Sequence, residues 1–294
     1  MIDRIVTRPD FDGVVCAVLL QEALGGSLPI LWVQPNEIQK GLVTLTPGDV
    51  VANLPLNGPC GLWFDHHISN DADLPYEGLF RIAPSAAGLI YEYYKDHFGT
   101  AFKELVQQTD RIDSAQLSLD QILRPQDYSY ILLSMTVFRN KDSDLSYCNH
   151  LVDLLRKSGI DQVMADSQVA VRCQEVLEAN RNYEIFLRRH TVMRGHVSVT
   201  DFRGIRPAPE GNRFLVYSLF PEAVVNLKIY DEGENTAIKL GHSILNRGCN
   251  VNVGQLLTRF GGGGHRGAGA CRVEPSRGEE YMNEIIKVLM ENQA

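Results

Sequence analysis

In the first hundred residues short apolar runs alternate with helical ones, and three of the apolar runs end in a polar or charged cluster. "MIDRIV" leads into the turn "TRPDFDG", and "VVCAVLLQEAL" then reads as a helix reaching Gly25 and Gly26. "PILWVQP", "DVVAN" and "GLWFD" read as strands, with "NEIQKGLVTL" a short helix between them. Strands that alternate with helices call for a mostly parallel sheet covered by helices. "PSAAGLIYEYYKDHFG" continues the pattern as a helix that Ser85 caps and Gly99 ends. Pro125 and "RNKDSDL" mark loops.

From 158 to 189 the pattern is long and helical, with Val163, Val169, Val176, Leu177 and Leu187 as apolar markers. After His190 the texture becomes β-rich: "TVMRGHVSVTDF", "RFLVYSLFP", "AVVNLKIYDE" and "NTAIKLGHSI" read as strands separated by turns. "NVGQLLTRF" is a short helix, "GACRV" a strand, and "SRGEEYMNEIIKVLMEN" a closing amphipathic helix. The expectation is an α/β chain with an N-terminal domain over 1–157, a helical linker over 158–189 and a smaller α/β domain over 190–294.

Charge limits the partners. The net charge is −8 and no run of Lys and Arg occurs, so an extended duplex track is not expected. A short anionic ligand in a local pocket remains compatible. No apolar stretch reaches the roughly 20 residues of a membrane helix, and the first residues lack the basic start and apolar core of a signal peptide. A cytoplasmic protein without a membrane partner is expected. The six cysteines are scattered and read as small buried hydrophobes.

Three clusters carry chemistry. Asp10 and Asp12 stand in the turn after the first strand, where a parallel sheet places its ligands; the plain reading is an Asp-rich turn that caps the next helix. Asp65, His66 and His67 follow a buried strand, and carboxylate with imidazole suits Mn²⁺, Fe²⁺ or Zn²⁺. Asp110 and Asp113 lie near the end of a helical segment, which a solvated helix end explains equally well. Near the C-terminus, "RFGGGGHRGAGACRV" puts four glycines beside His265 and Arg266. Glycines let backbone N–H groups approach an anion closely, and His265 and Arg266 add charged donors.

Together these stretches resemble the DHH phosphoesterase family, which includes nanoRNases, pAp phosphatases, exopolyphosphatases and family II pyrophosphatases. "PDFD" matches its first motif, "DHHISN" its third, "SAAGLIYE" the helix that follows, and "GGGGHRGAG" the signature of the associated C-terminal domain. The resemblance spans nearly the whole chain. It implies an active-site cleft between the two domains, with Gly261, Gly262, Gly263, Gly264, His265 and Arg266 holding substrate. Arg247 is a further candidate phosphate contact and Arg139 a weaker one. Phe11 and Phe260 are placed to stack bases or simply to pack.

The resemblance assigns metal ligands to Asp10, Asp12, Asn53, His66 and Asp110, with Asp113 the alternative to Asp110. Catalytic roles fall to Asp65 and His67: His67 contacts phosphoryl oxygens or assists proton transfer, and Asp65 fixes its tautomer. Two positions depart from the family. Val6 stands where a histidine is usual, and Asn53 where an aspartate bridges two metals; His242 also replaces a common arginine. The expectation is therefore one well-held divalent ion, Mn²⁺ or another such as Mg²⁺, on Asp12, His66 and Asp110. The implied activity is hydrolysis of a short oligonucleotide, pAp or polyphosphate by metal-activated water. The alternative is a nucleotide- or phosphate-binding protein that has lost its second metal site and its catalysis. The resemblance allows a homodimer.

Overall fold

The structure, a computed structural model, describes residues 2–67, 70, 75–137 and 142–293. Arg139 lies outside the described residues. The chain is α/β and divides into two compact units: unit 1 is Met1–Gln116 with Gln126–Cys173, and unit 2 is Leu117–Pro125 with Gln174–Ala294.

Unit 1 is built on a five-stranded parallel sheet of β1 (Arg4–Thr7), β2 (Ile30–Trp32), β3 (Asp49–Ala52), β4 (Leu62–Asp65) and β5 (Gly78–Phe80). The order is β2-β1-β3-β4-β5. Every residue of β3 and β4 is buried, as expected of strands covered on both faces. The helix Phe11–Ala23 is buried from Phe11 to Gln21 and packs against helices Ala86–Tyr93, Lys103–Asp113 and Asp142–Lys157. Its lack of a polar face follows from that position. The chain leaves β1 for β2 on one side, while β3 lies on the other. That reversal is a switch point, and the crevice beyond the C-terminal strand ends is where such sheets place ligands.

Unit 2 holds a six-stranded sheet of β6 (Thr191–Arg194), β7 (Val197–Asp201), β8 (Val225–Glu232), β9 (Asn235–His242), β10 (Gly263–His265) and β11 (Ala268–Val273). The order is β10-β11-β9-β8-β7-β6, with β7 and β8 parallel and the other pairs antiparallel. Val225, Leu227, Ile229, Ile238 and Leu240 pack with Met282, Ile285 and Leu289 of the closing helix Gly278–Glu291. Strand alternation turns Asn226, Lys228 and Tyr230 to the opposite face, where Tyr183 and Leu187 of helix Ser167–His190 pack with Phe202 and Tyr217.

Several elements differ from the sequence expectation. "RFLVYSLFP" forms helix Leu215–Leu219 rather than a strand. A continuous apolar run suits a buried helix as well as a strand, and the parallel pair β7–β8 needs a crossover at this point. The stretch expected as a loop at "RNKDSDL" enters helix Asp142–Lys157. The long Tyr-rich helix ends at Tyr93 and restarts as Lys95–Phe98, and Gly99, at φ +57°, closes it. "NEIQKGLVTL" is helical only over Pro35–Gln39. The pattern over 158–189 resolves into helices Ile160–Ala165 and Ser167–His190. Strand β5 was not anticipated, because "GLF" is too short to show a period.

The glycine run is also more ordered than a loop. Gly263–His265 pairs with Ala268–Val273 as a hairpin closed by Arg266 and Gly267. A Cβ on Gly264, at φ +150°, would stand 2.3 Å from the Ala268 carbonyl oxygen. A Cβ on Gly254, in helix Val253–Thr258, would meet the Gly264 oxygen at 2.3 Å. The glycines thus let a helix lie directly on the hairpin backbone. A Cβ on Gly263, by contrast, meets nothing within 4 Å. Gly264→Ala should therefore cost about 2 kcal/mol or more of stability in urea unfolding, by overpacking. Gly263→Ala should cost clearly less; equal losses would show that close packing is not what the run supplies.

Candidate metal centre

Three segments leave the C-terminal edge of the parallel sheet with ligand-type side chains, and helix Lys103–Asp113 brings a fourth set. After β1, Asp10 caps helix Phe11–Ala23: its Oδ1 accepts from Gly13 N at 2.9 Å. Arg8 Nε lies 2.9 Å from its other carboxylate oxygen. Asp12, one residue into the helix, is buried, and its two oxygens accept from the backbone N–H groups of Ala86 and Ala87 at 3.0 and 2.9 Å. These are the first N–H groups of helix Ala86–Tyr93, which otherwise have no intrahelical partner.

After β3 comes Asn53, in the left-handed region at φ 56°, which asparagine tolerates. Its Nδ2 donates to Asp10 Oδ1 at 3.0 Å. Its Oδ1 is buried and finds no hydrogen-bond partner among the described residues. Val6 is fully buried inside β1, paired with Leu31 and Val51, and contributes only packing.

After β4, Asp65 is fully buried. Its Oδ1 lies 2.8 Å from His67 Nδ1 and accepts from the His66 backbone N–H at 2.9 Å; its Oδ2 accepts from Asn70 Nδ2 at 2.7 Å. A buried carboxylate on Nδ1 fixes the proton there. His66 is oriented differently: its Nδ1 lies 3.0 Å from the Ala83 carbonyl oxygen, so it carries the proton and Nε2 keeps its lone pair. That Nε2 is buried and has no hydrogen-bond partner among the described residues. It lies 3.8 Å from Asp12 Oδ2 and 3.4 Å from Asp113 Oδ2.

The fourth element, helix Lys103–Asp113, carries both acidic candidates one turn apart. The structure turns Asp110 to Ser85, whose Oγ donates to its Oδ1 at 2.6 Å. It is Asp113 that faces His66. One ligand atom each from Asp12, His66 and Asp113 lies within 4.8 Å of the others. A second such group is Asp65, His66 and His67, adjacent in sequence. Asp113 was legible only as the alternative to Asp110, because i and i+3 positions share a helix face. Asn70 went unremarked, although it lies inside "DHHISN".

Burial raises the pKa of Asp12, with the Asp10 charge adding to it, while His66 and the two backbone N–H groups partly oppose the shift. Burial raises Asp110 as well, offset by Ser85 and His66. An ionised Asp12 is thus a cost to the fold that a cation relieves. Two carboxylates and one imidazole lone pair form a donor set that fits a divalent ion.

The remaining candidates lie in unit 2. Gly261 turns at φ +70°, and Gly262, Gly263 and Gly264 lead through the hairpin described above. His265 and Arg266 are exposed, and Arg266 Nη2 donates to the Asn250 carbonyl at 2.9 Å. Arg247 is exposed beside the Ile244 carbonyl. His242 Nε2 lies 2.9 Å from the Val251 carbonyl oxygen, and burial lowers its pKa, so it ties two segments together as a neutral ring. Phe11 and Phe260 are buried packing residues.

No family model matches the chain, and no curated protein matches it. Solved structures do. The chain is similar to the pGpG-specific phosphodiesterase PggH from Vibrio cholerae, with 27% identity, 98% of this chain and 99% of that one covered, and a TM-score of 0.82. An exopolyphosphatase-related protein from Bacteroides fragilis aligns at 12% identity over 98% of this chain and 91% of its own, TM-score 0.56. RecJ from Thermus thermophilus, solved with Mn²⁺, aligns at 13% identity over 98% of this chain and 52% of its own, TM-score 0.58; these two show the fold alone. The full-length likeness to a phosphodiesterase, joined to the Asp65-His66-His67 triplet at the end of β4, supports the resemblance to the DHH phosphoesterase family.

Proposed function

We propose that the chain is a divalent-metal-dependent phosphodiesterase acting on a short linear nucleotide, with a 5′-phosphorylated dinucleotide such as pGpG as first candidate. The observation that carries this is the buried lone pair of His66 Nε2 beside the carboxylates of Asp12 and Asp113. The likeness to a pGpG-specific enzyme over both full lengths supports the substrate class. The absence of any long basic run favours a short anion over a duplex.

In this reading Asp12, His66 and Asp113 hold one ion, Mn²⁺ or Mg²⁺, and Asn53 Oδ1 is a further neutral donor. Such an ion neutralises phosphoryl charge and lowers the pKa of water at the site. The protein supplies the rest. Ala83 keeps His66 in the tautomer that presents Nε2, and the N–H groups of Ala86 and Ala87 hold Asp12 in place. Asp65 orients His67 and stabilises its imidazolium, so His67 can pass a proton to or from the phosphoryl oxygens. Asp110, held by Ser85, supports the wall behind Gly88, where a Cβ would stand 2.7 Å from its Oδ1. The glycine hairpin with His265 and Arg266, and Arg247, are candidate phosphate or sugar contacts within unit 2.

A weakened enzyme or binding module is the second reading, favoured by Val6 and Asn53. Neither a buried valine nor a neutral amide replaces a charged ligand at a second ion.

Purified protein should hydrolyse pGpG with Mn²⁺, lose the activity in EDTA and regain it on Mn²⁺ addition. Asp12→Ala and His66→Ala should each lower kcat by about 100-fold or more, and Mn²⁺ should raise the Tm of the parent but not of Asp12→Ala. Hydrolysis that persists in EDTA would sink the metal assignment. Binding of pGpG without hydrolysis would select the second reading. Asp113→Asn should weaken Mn²⁺ binding about 10-fold or more, and Asp110→Asn less, since a direct ligand matters more than its support; the reverse ranking would exchange their roles. Asn53→Asp sets a carboxylate against Asp10, and two carboxylates that close do not both ionise without a cation. Calorimetry should then show a second Mn²⁺ equivalent; an unchanged stoichiometry of one would show that Asn53 is not what limits the site.

A further inference from the structure

The face of the unit 2 sheet opposite the closing helix carries two lysines at directly opposed positions. Lys228 of β8 pairs with Lys239 of β9. Like charges opposite each other destabilise a sheet, and Lys228 is also half-buried, which adds a desolvation cost. Neither ammonium has a carboxylate ion-pair partner among the described residues. Lys228 Nζ donates to Tyr183 Oη at 3.4 Å and lies 5.6 Å from the Tyr183 ring centroid. The Tyr230 ring lies 5.8 Å from Lys228 Nζ and 5.1 Å from Lys239 Nζ. Aromatic faces moderate the repulsion but add no negative charge.

Burial, then Lys239, lower the Lys228 pKa to about 8, while Glu210 opposes the shift. Glu210 is exposed and is the one acidic group that acts on Lys228 among the described residues. Beyond Lys239 the sheet offers small neighbours: Ala270 lies opposite it on β11, and Gly241 two residues along β9. No long side chain from those positions competes for the ammoniums.

We propose that unit 2 binds a phosphate group between Lys228 and Lys239, on the sheet face lined by Tyr183 and Tyr230. A phosphate oxygen set accepts from both ammoniums and from the Tyr183 hydroxyl, turning a repulsive pair into a bridged one. The ligand class is a phosphate monoester, diester or free phosphate. The site does not depend on the metal centre of unit 1.

The test uses the full chain in EDTA, with lysines labelled by reductive ¹³C-dimethylation and read by NMR. The Lys228 resonance, assigned by its loss in Lys228→Met, should titrate near pH 8 without ligand. Inorganic phosphate or a 5′-phosphorylated dinucleotide should raise that pKa by about one unit, as a nearby opposite charge does. Chloride at equal ionic strength should not. Lys239→Gln, at an exposed position, should abolish the phosphate response, and this variant carries the test if Lys228→Met does not fold. A shift with the dinucleotide alone places substrate there, and a shift with phosphate as well marks a general phosphate site. No shift with either probe, or an equal shift with chloride, overturns the proposal. Because EDTA removes the ion, failure here leaves the metal-centre reading untouched, and loss of hydrolysis leaves this one untouched.

Discussion

The buried carboxylate of Asp12 organises unit 1. It accepts from the first two N–H groups of helix Ala86–Tyr93, more than seventy residues away in the chain. Hydrogen bonds to a charged acceptor contribute about 1.5–3 kcal/mol each, and here they offset a desolvation that raises the Asp12 pKa. The same bonds fix the helix whose cap, Ser85, reaches Asp110. They also place the carboxylate beside His66. Helix position and ligand position are thus set by one buried charge.

Around that charge the two histidines differ in the partner each has on Nδ1. On His66 the Nδ1 partner is the Ala83 carbonyl oxygen, which can only accept, so the proton sits on Nδ1 and Nε2 faces the carboxylates. On His67 the Nδ1 partner is the buried Asp65 carboxylate. Adjacent residues in the sequence are therefore held by different partners, one a backbone carbonyl and the other a buried carboxylate.

Much of this was legible in the sequence. Parallel strands ending in acidic and imidazole clusters predicted the α/β sheet and the edge where ligands gather. The triplet after "GLWF" lies at the strand end where the sequence reading put it. What stayed hidden was directional. Asp110 and Asp113 are one helical turn apart, and only the pitch of helix Lys103–Asp113 against Ser85 decides which carboxylate meets His66. "RFLVYSLFP" hid its helix because an apolar run lacks a period, and the glycine run hid its strand because glycine has no side chain to show alternation.

The sequence by itself determined which chemistry is available: residue types, their order, and the losses at Val6 and Asn53, since donor atoms belong to residues whatever the fold. Only the tertiary structure decided which donors converge, which tautomer each histidine adopts and that Lys228 and Lys239 stand opposed. Those are relations between segments distant in the chain. They depend on strand register and helix packing, which local sequence does not encode.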